Sequence, residues 1–197
     1  MPTLDTTPRQ RGVVLIVALV LLVVLTLIAA TSSKLALNDE RGGRAARDYR
    51  LAFEAAEATL RNAESEIITG SRKQRFDGNT IAGFAVGCPE VPLPSASLIA
   101  ASVRGLCLPD EESPQPLWTQ VSFDARGVPF GTFTGQRWAG PGAAPLYLIE
   151  ARRDETPGVA IGGPSRPNSA RLYYRITAVA KSPTGRHVVA LQSAFRP

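Results

Sequence analysis

The chain has 197 residues, 22 basic and 17 acidic side chains, a formal charge of +5, and 17 glycines and 16 prolines. That length gives room for one anchor and one globular domain, and the scattered positive surplus, with no long Lys/Arg block, excludes a basic nucleic-acid arm. Two cysteines and one histidine, far apart in sequence, exclude a zinc centre, which needs four close ligands.

The chain opens with Arg9-Gln10-Arg11-Gly12 and passes directly into Val13–Ala30, which is apolar throughout except at Thr26. As α-helix that run spans about 27 Å, close to the hydrocarbon thickness of a bilayer. It is longer than the apolar region of an ordinary secretory signal, although Ala29-Ala30-Thr31-Ser32-Ser33 weakly mimics a cleavage site. Arg9 and Arg11 precede the run, so the positive-inside rule predicts a cytoplasmic N-terminus and an exported remainder.

Helical periodicity resumes further on. Tyr49, Phe53, Ala56, Leu60, Ala63 and Ile67 are spaced as the stripe of an amphipathic helix. Glu54, Glu57, Arg61 and Glu64 lie off that stripe, and Glu57 and Arg61 make a favourable i,i+4 pair. Gly42 and Gly43 weaken the helix between the two halves. Val13 to about Ile68 thus reads as one long helix with a soft point at that pair.

Glycine and proline crowd the stretch from about Gly78 to Pro167, which predicts a loop-rich middle. It contains Cys88 and Cys107. In an oxidising compartment their even count suggests a disulfide, contributing about 3 kcal/mol; two buried free thiols are the alternative. Leu146–Ala151 is a candidate strand. Leu172–Lys181 alternates, with Tyr174, Ile176, Ala178 and Ala180 on one face and Arg175, Thr177, Val179 and Lys181 on the other. Ser182-Pro183-Thr184-Gly185 is a turn sequence, and a further strand follows from His187 to Phe195. The expected fold class is α+β: a long N-terminal helix whose second half packs on an antiparallel sheet, decorated by loops.

Catalytic patterns are weak. His187 stands beside a turn, and no Gly-x-Ser-x-Gly elbow precedes a helix. Asp110-Glu111-Glu112 lacks the ligand spacing of a calcium loop. Gly140-Pro141-Gly142 and Gly162-Gly163-Pro164 have no following Lys-Ser/Thr and are not phosphate cradles. Arg41-Gly42-Gly43-Arg44 is a single copy within a helix and reads as a solvated face. No cofactor, metal or specific nucleic-acid partner is expected.

The basic leader ending in glycine, followed by an apolar helix that becomes amphipathic, resembles the N-terminus of type IV pilins and pseudopilins. Arg11–Leu19, Leu51–Leu60, Gly105-Leu106-Cys107, Arg175–Ala178 and Val188–Ser193 through Phe195-Arg196-Pro197 together resemble PilX-type minor pilins. The resemblance implies that a prepilin peptidase cuts after Gly12 and methylates the amine of Val13. It implies a leader over 1–12, a membrane or filament-core half over 13–30, and an amphipathic half over 31–68. A periplasmic globular domain then covers 69–197, loop-rich over 69–145 and sheet over 146–197.

Major pilins carry Glu at the fifth mature position, where this chain has Val17. A carboxylate in an apolar filament core needs a partner, supplied in that family by a neighbouring subunit's N-terminal amine. A subunit lacking the acid suits the filament tip or a priming complex. The partners implied are other minor pilins, the major pilin, a large tip adhesin and the inner-membrane assembly platform. Two alternatives stand beside this. One is a K-type minor pseudopilin of type II secretion, a family that generally carries a much larger additional domain. The other is a membrane-anchored periplasmic binding module.

Overall fold

The computed structural model describes residues 11–88, 90, 102–110, 122–153 and 171–197; side chains of residues 11, 12 and 30–37 lie outside that description. Helix α1 covers Arg11–Thr69, 59 residues. It runs through Gly42 and Gly43 as α-helix, with open space where a Cβ would stand at either position. At its C-terminus the Gly70 N–H donates to the Glu66 carbonyl (2.9 Å), and a Cβ on Gly70 would lie 2.6 Å from that same oxygen. Glycine therefore lets the chain leave the helix without a clash. Packing divides the chain into two compact units, Met1–Ala46 and Arg47–Pro197, and the boundary falls inside α1.

The second unit contains a sheet. Its strands are β1 (Ala85–Val86), β2 (Leu106–Leu108), β3 (Val128–Pro129), β4 (Leu146–Arg153), β5 (Leu172–Lys181) and β6 (Val188–Phe195), with a short helix α2 at Phe123–Arg126. The three long strands β4, β5 and β6 are antiparallel neighbours, as the sequence pattern predicts. The turn between β5 and β6 closes with the Gly185 N–H donating to the Ser182 carbonyl (2.8 Å).

The sheet as a whole is mixed, which corrects the antiparallel expectation. β2 runs parallel to β4 (Leu106↔Ile149, Cys107↔Glu150), β1 runs parallel to β2, and β3 pairs antiparallel with β4 (Val128↔Tyr147). The physical reason is an unpaired edge. Three strands alone would leave one side of β4 with buried N–H and C=O groups, and the loop-rich middle supplies β2 and β3 end to end along that side. The Cys88–Cys107 disulfide closes over this edge, joining the second residue after β1 to the centre of β2 across a sequence separation of 19.

The helix-facing side of the sheet is Tyr147, Ile149, Tyr174, Ile176 and Ala178, all fully buried against Ala63 and Ile67 of α1 and against Phe76 and Phe84. Phe76, Phe84 and Tyr174 form an aromatic trio with centroids 5.2–6.1 Å apart. Further along, Ala52, Ala55 and Ala56 meet Ala180 and Val189. The small alanines let helix and sheet approach closely.

The buried helix face differs from the predicted stripe. Ala56, Ala63 and Ile67 are buried as expected, whereas Tyr49 is 53% exposed and Phe53 and Leu60 are half-buried. In place of these, the face includes Thr59, Asn62 and Glu66, all polar and all buried. Asn62 and Glu66 have partners that only the tertiary fold supplies, while Thr59 is satisfied within the helix. Thr59 Oγ1 donates to the Ala55 carbonyl (2.7 Å). Asn62 Nδ2 donates to Thr134 Oγ1 (2.7 Å) and Gln136 Oε1 (3.0 Å), while its Oδ1 accepts from the Gly131 N–H (3.0 Å). The clamped loop is tight: at Gly131 (φ +80°) a Cβ would lie 1.8 Å from the Gln136 carbonyl oxygen. Only glycine fits there.

Glu66 is the centre of the second polar cluster. One carboxylate oxygen accepts from Arg72 Nε and the other from the Tyr147 hydroxyl. Arg72 is itself buried and stacks over Phe133, its guanidinium carbon 3.7 Å from the ring centroid. Arg72 Nη1 donates to the carbonyls of Ser102 (3.1 Å) and Arg104 (2.7 Å), and Arg104 Nε donates to the Gly127 carbonyl (2.7 Å) just before β3. This relay connects the end of α1 to the added edge of the sheet.

Burial, and after it the adjacent Glu66 carboxylate, push the Tyr147 phenol well above its ordinary value of 10.0. A folded value above the unfolded one gives stability that is complete below pH about 10 and lost as pH rises from there towards the folded value. Tyr147→Phe should cost about 1–3 kcal/mol at neutral pH by removing a donor from a buried carboxylate. It should also flatten the alkaline loss of stability. Denaturant melts of the full chain in detergent at pH 7 and pH 11 check both; an unchanged alkaline slope would contradict the assignment.

Candidate assembly surface

Fourteen large apolar side chains between Val13 and Ile28 are each 44–71% exposed. Fully burying one such group contributes about 1.5–3 kcal/mol. A helix with this surface all round is therefore strongly favoured to be covered. The one polar interruption is internally satisfied, since Thr26 Oγ1 donates to the Val23 carbonyl (2.8 Å). Among the described residues no helix is long and apolar enough to cross a membrane. The expected span Val13–Ala30 ends on Ala30, whose side chain lies outside the described residues.

Gly12 and Val13 fall within α1, and Val17 is 51% exposed on it. The leader expected over 1–12 lies outside the description except for Arg11 and Gly12. Past the apolar stretch α1 becomes charged, with an exposed Glu40–Arg44 ion pair at 2.5 Å and a Glu57–Arg61 pair at 3.4 Å. Exposed pairs of this kind contribute only about 0.3–0.5 kcal/mol, so they mark a solvated face and not a clamp.

The head is fastened to α1 by side chains on the margins of the buried face. Ser193 Oγ of β6 donates to Glu64 Oε1 (2.9 Å), and Thr184 Oγ1 in the β5–β6 turn donates to Asp48 Oδ2 (2.6 Å). His187 packs edge-on against Tyr49, centroids 6.4 Å apart, and its N–H donates to Ser182 Oγ (3.2 Å). Its observed contacts are those of a turn residue.

Of the residues singled out from sequence, the fold brings Cys88 and Cys107 together and leaves Val13, Val17, Gly42 and Gly43 separate along α1. Gly140 packs under Trp138, where a Cβ would meet the indole at 2.3 Å. Glu111, Glu112 and Gly162-Gly163-Pro164 lie outside the described residues. No group of His, Cys, Asp and Glu able to hold a metal ion occurs among the described residues. Periodicity missed Asn62, Glu66, Arg72 and Tyr147. The available signal was polar Thr59, Asn62 and Glu66 at helical spacing beside apolar Ala56, Ala63 and Ile67.

The second unit holds the sheet on the last turns of α1, and the first unit presents the exposed apolar side chains from Val13 to Ile28. The PilX N-terminal family matches residues 11–61, and the C-terminal family of type IV pilus assembly protein PilX matches residues 103–197. No curated protein and no solved structure matches the chain. The two matched segments take in the apolar surface, the start of the buried helix face, Cys107 and every long strand of the sheet. The chain belongs to the PilX family of type IV pilus assembly proteins and is a PilX-type minor pilin.

Proposed function

We propose that this minor pilin is a non-catalytic structural subunit that enters a tip or priming complex and promotes initiation of pilus assembly. The observation that carries the proposal is the exposed apolar surface from Val13 to Ile28 with a valine, not an acid, at position 17. Before assembly, lipid covers that surface, with the N-terminus cytoplasmic and the head periplasmic; the flanking Arg9 and Arg11 support this orientation. After prepilin peptidase cuts behind Gly12 and methylates Val13, neighbouring helices replace the lipid. The exchange is nearly neutral in hydrophobic energy, because one apolar environment succeeds another. Selection of position then falls to polar groups, and Val17 has none.

A subunit without that acid cannot pair the amine of a subunit packed above it, so it favours the end of the filament. Its neighbours in this account are other minor pilins and the major pilin. A large tip adhesin and the inner-membrane assembly platform lie above and below. An oxidising periplasm is consistent with the Cys88–Cys107 disulfide at the sheet edge.

Mass spectrometry of the membrane-extracted protein should give a mature chain starting at methylated Val13. An intact chain from Met1 would instead favour an anchored binding module. Immunogold labelling of sheared filaments should place the protein at filament ends, and Val17→Glu should move part of the label into the shaft. Even labelling of wild-type protein along the shaft, at major-pilin abundance, would contradict tip placement.

A further inference from the structure

The sheet stops short of the apolar line beside it on α1. Tyr49, Phe53, Leu60 and Glu64 lie along one line of the helix, at spacings of four, seven and four. Both ends of that line run beside β6. The Tyr49 ring is edge-on to His187, the residue before β6, and Glu64 accepts from Ser193 within it. Tyr49 is nonetheless 53% exposed, and Phe53 and Leu60 are only half-buried. Across from them, Leu191 and Phe195 of β6 pack against the core between helix and sheet and are likewise half-buried.

β6 is the end strand of the sheet. Among the described residues it pairs with β5 alone, and the register of Val188–Phe195 on Lys181–Tyr174 is unbroken. Native edge strands are commonly protected by a charged residue, a proline or a bulge. Val188–Phe195 has no charged residue, no proline and no glycine. Its outer backbone groups are thus free to pair with a further strand. Such a strand would carry alternate side chains over Tyr49, Phe53 and Leu60 and complete the cover of α1.

Charge marks one end of this edge. Arg50 follows Tyr49 and Arg186 precedes His187; both are exposed, and neither makes an ion pair among the described residues. The acids close to them in the chain are engaged elsewhere, Asp48 by Thr184 and Glu57 by Arg61. Glu54 is exposed and unpaired, but it lies about 120° around the helix from the apolar line.

We infer that the β6 edge, with the half-exposed apolar line of α1 beside it, takes an added β-strand from a partner protein. The occupant is an extended segment of alternating apolar residues, with carboxylates at the end that meets Arg50 and Arg186. A second copy of this chain does not fit. In a two-fold pair of antiparallel β6 strands, the Arg186 end of one would meet the Arg196 end of the other, gathering like charges at both ends. The surface belongs to the second unit by itself, so it does not rest on placement at a filament tip.

The test is fluorescence anisotropy of a fluorescein-labelled peptide of alternating valine and threonine, as long as β6 and ending in two aspartates. It is titrated with the full chain in detergent at near-physiological salt, and saturable binding is expected. An extended strand offers alternate N–H groups to its neighbour. N-methylation of the peptide in one alternating frame should therefore abolish binding, and in the other frame leave it within about threefold. Arg50→Gln with Arg186→Gln should weaken binding by about tenfold. Arg153→Gln with Arg171→Gln, an equal charge change at the opposite end of the sheet, should leave it within about twofold, since distant exposed charges are screened. Circular dichroism melts establish that the variants fold; should the first pair unfold, Tyr49→Ser carries the comparison, with weaker binding still expected. Absence of saturable binding, equal binding of the two methylated frames, or an equal loss with the distant pair would overturn the proposal. So would a dimer of the chain, seen by sedimentation, that the peptide fails to dissociate.

Discussion

The carboxylate of Glu66 has no contact with water and two hydrogen-bonding partners, Arg72 and Tyr147, and the geometry of the head follows from that arrangement. An isolated buried charge is prohibitively unfavourable, so the group requires its partners to be in place. Tyr147 belongs to the central strand β4, and Arg72 stands just beyond the end of α1. Satisfying one acid therefore fixes the helix, the strand and the segment leaving the helix relative to one another. Through the backbone carbonyls of Ser102 and Arg104, the same arginine positions the chain entering β2. Apolar contact between alanines and the sheet makes the association favourable. The polar cluster makes it specific in register, because a slide along the helix would leave Glu66 and Asn62 unpaired.

This division of labour suits a minor pilin. An all-apolar surface such as Val13–Ile28 carries no polar group that would orient whatever covers it. In the proposed function the head supplies that orientation, which requires its placement on the second half of α1 to be fixed. Asn62 and the Gly131 loop, Glu64 with Ser193, and Asp48 with Thr184 distribute that placement along about four and a half turns of the helix. The disulfide-bonded edge of the sheet is then held as a defined feature of the head.

Much of this was legible in the residues. The long helix, the strands at Leu146, Leu172 and Val188 and the turn at Pro183 follow from periodicity and turn chemistry, and the even cysteine count made the Cys88–Cys107 pairing one of two alternatives. Two things were not. The short strands β1, β2 and β3 have two or three residues each, too few to show any period, and they form because β4 has an edge to fill. The polar members of the buried helix face run against hydrophobic patterning, which assigns Asn62 and Glu66 to solvent. Their burial depends on Gln136, Gly131, Arg72 and Tyr147, partners between six and eighty-one residues away. Spacing along the chain carries no trace of such partners. Tyr49 went the other way: it fits the stripe by count, but it is 53% exposed, its ring edge-on to His187.

The most direct test of the central claim, that a buried ionic cluster registers the helix on the sheet, is a double-mutant cycle on Glu66 and Arg72. Unfolding free energies would be measured for the wild type, Glu66→Gln, Arg72→Met and the double variant. Each single change strands a buried charge and should cost about 3–5 kcal/mol. The double variant should cost far less than their sum, with a coupling of about 3 kcal/mol. Small single losses that simply add would mean that the apolar contacts alone set the register, and would contradict the account.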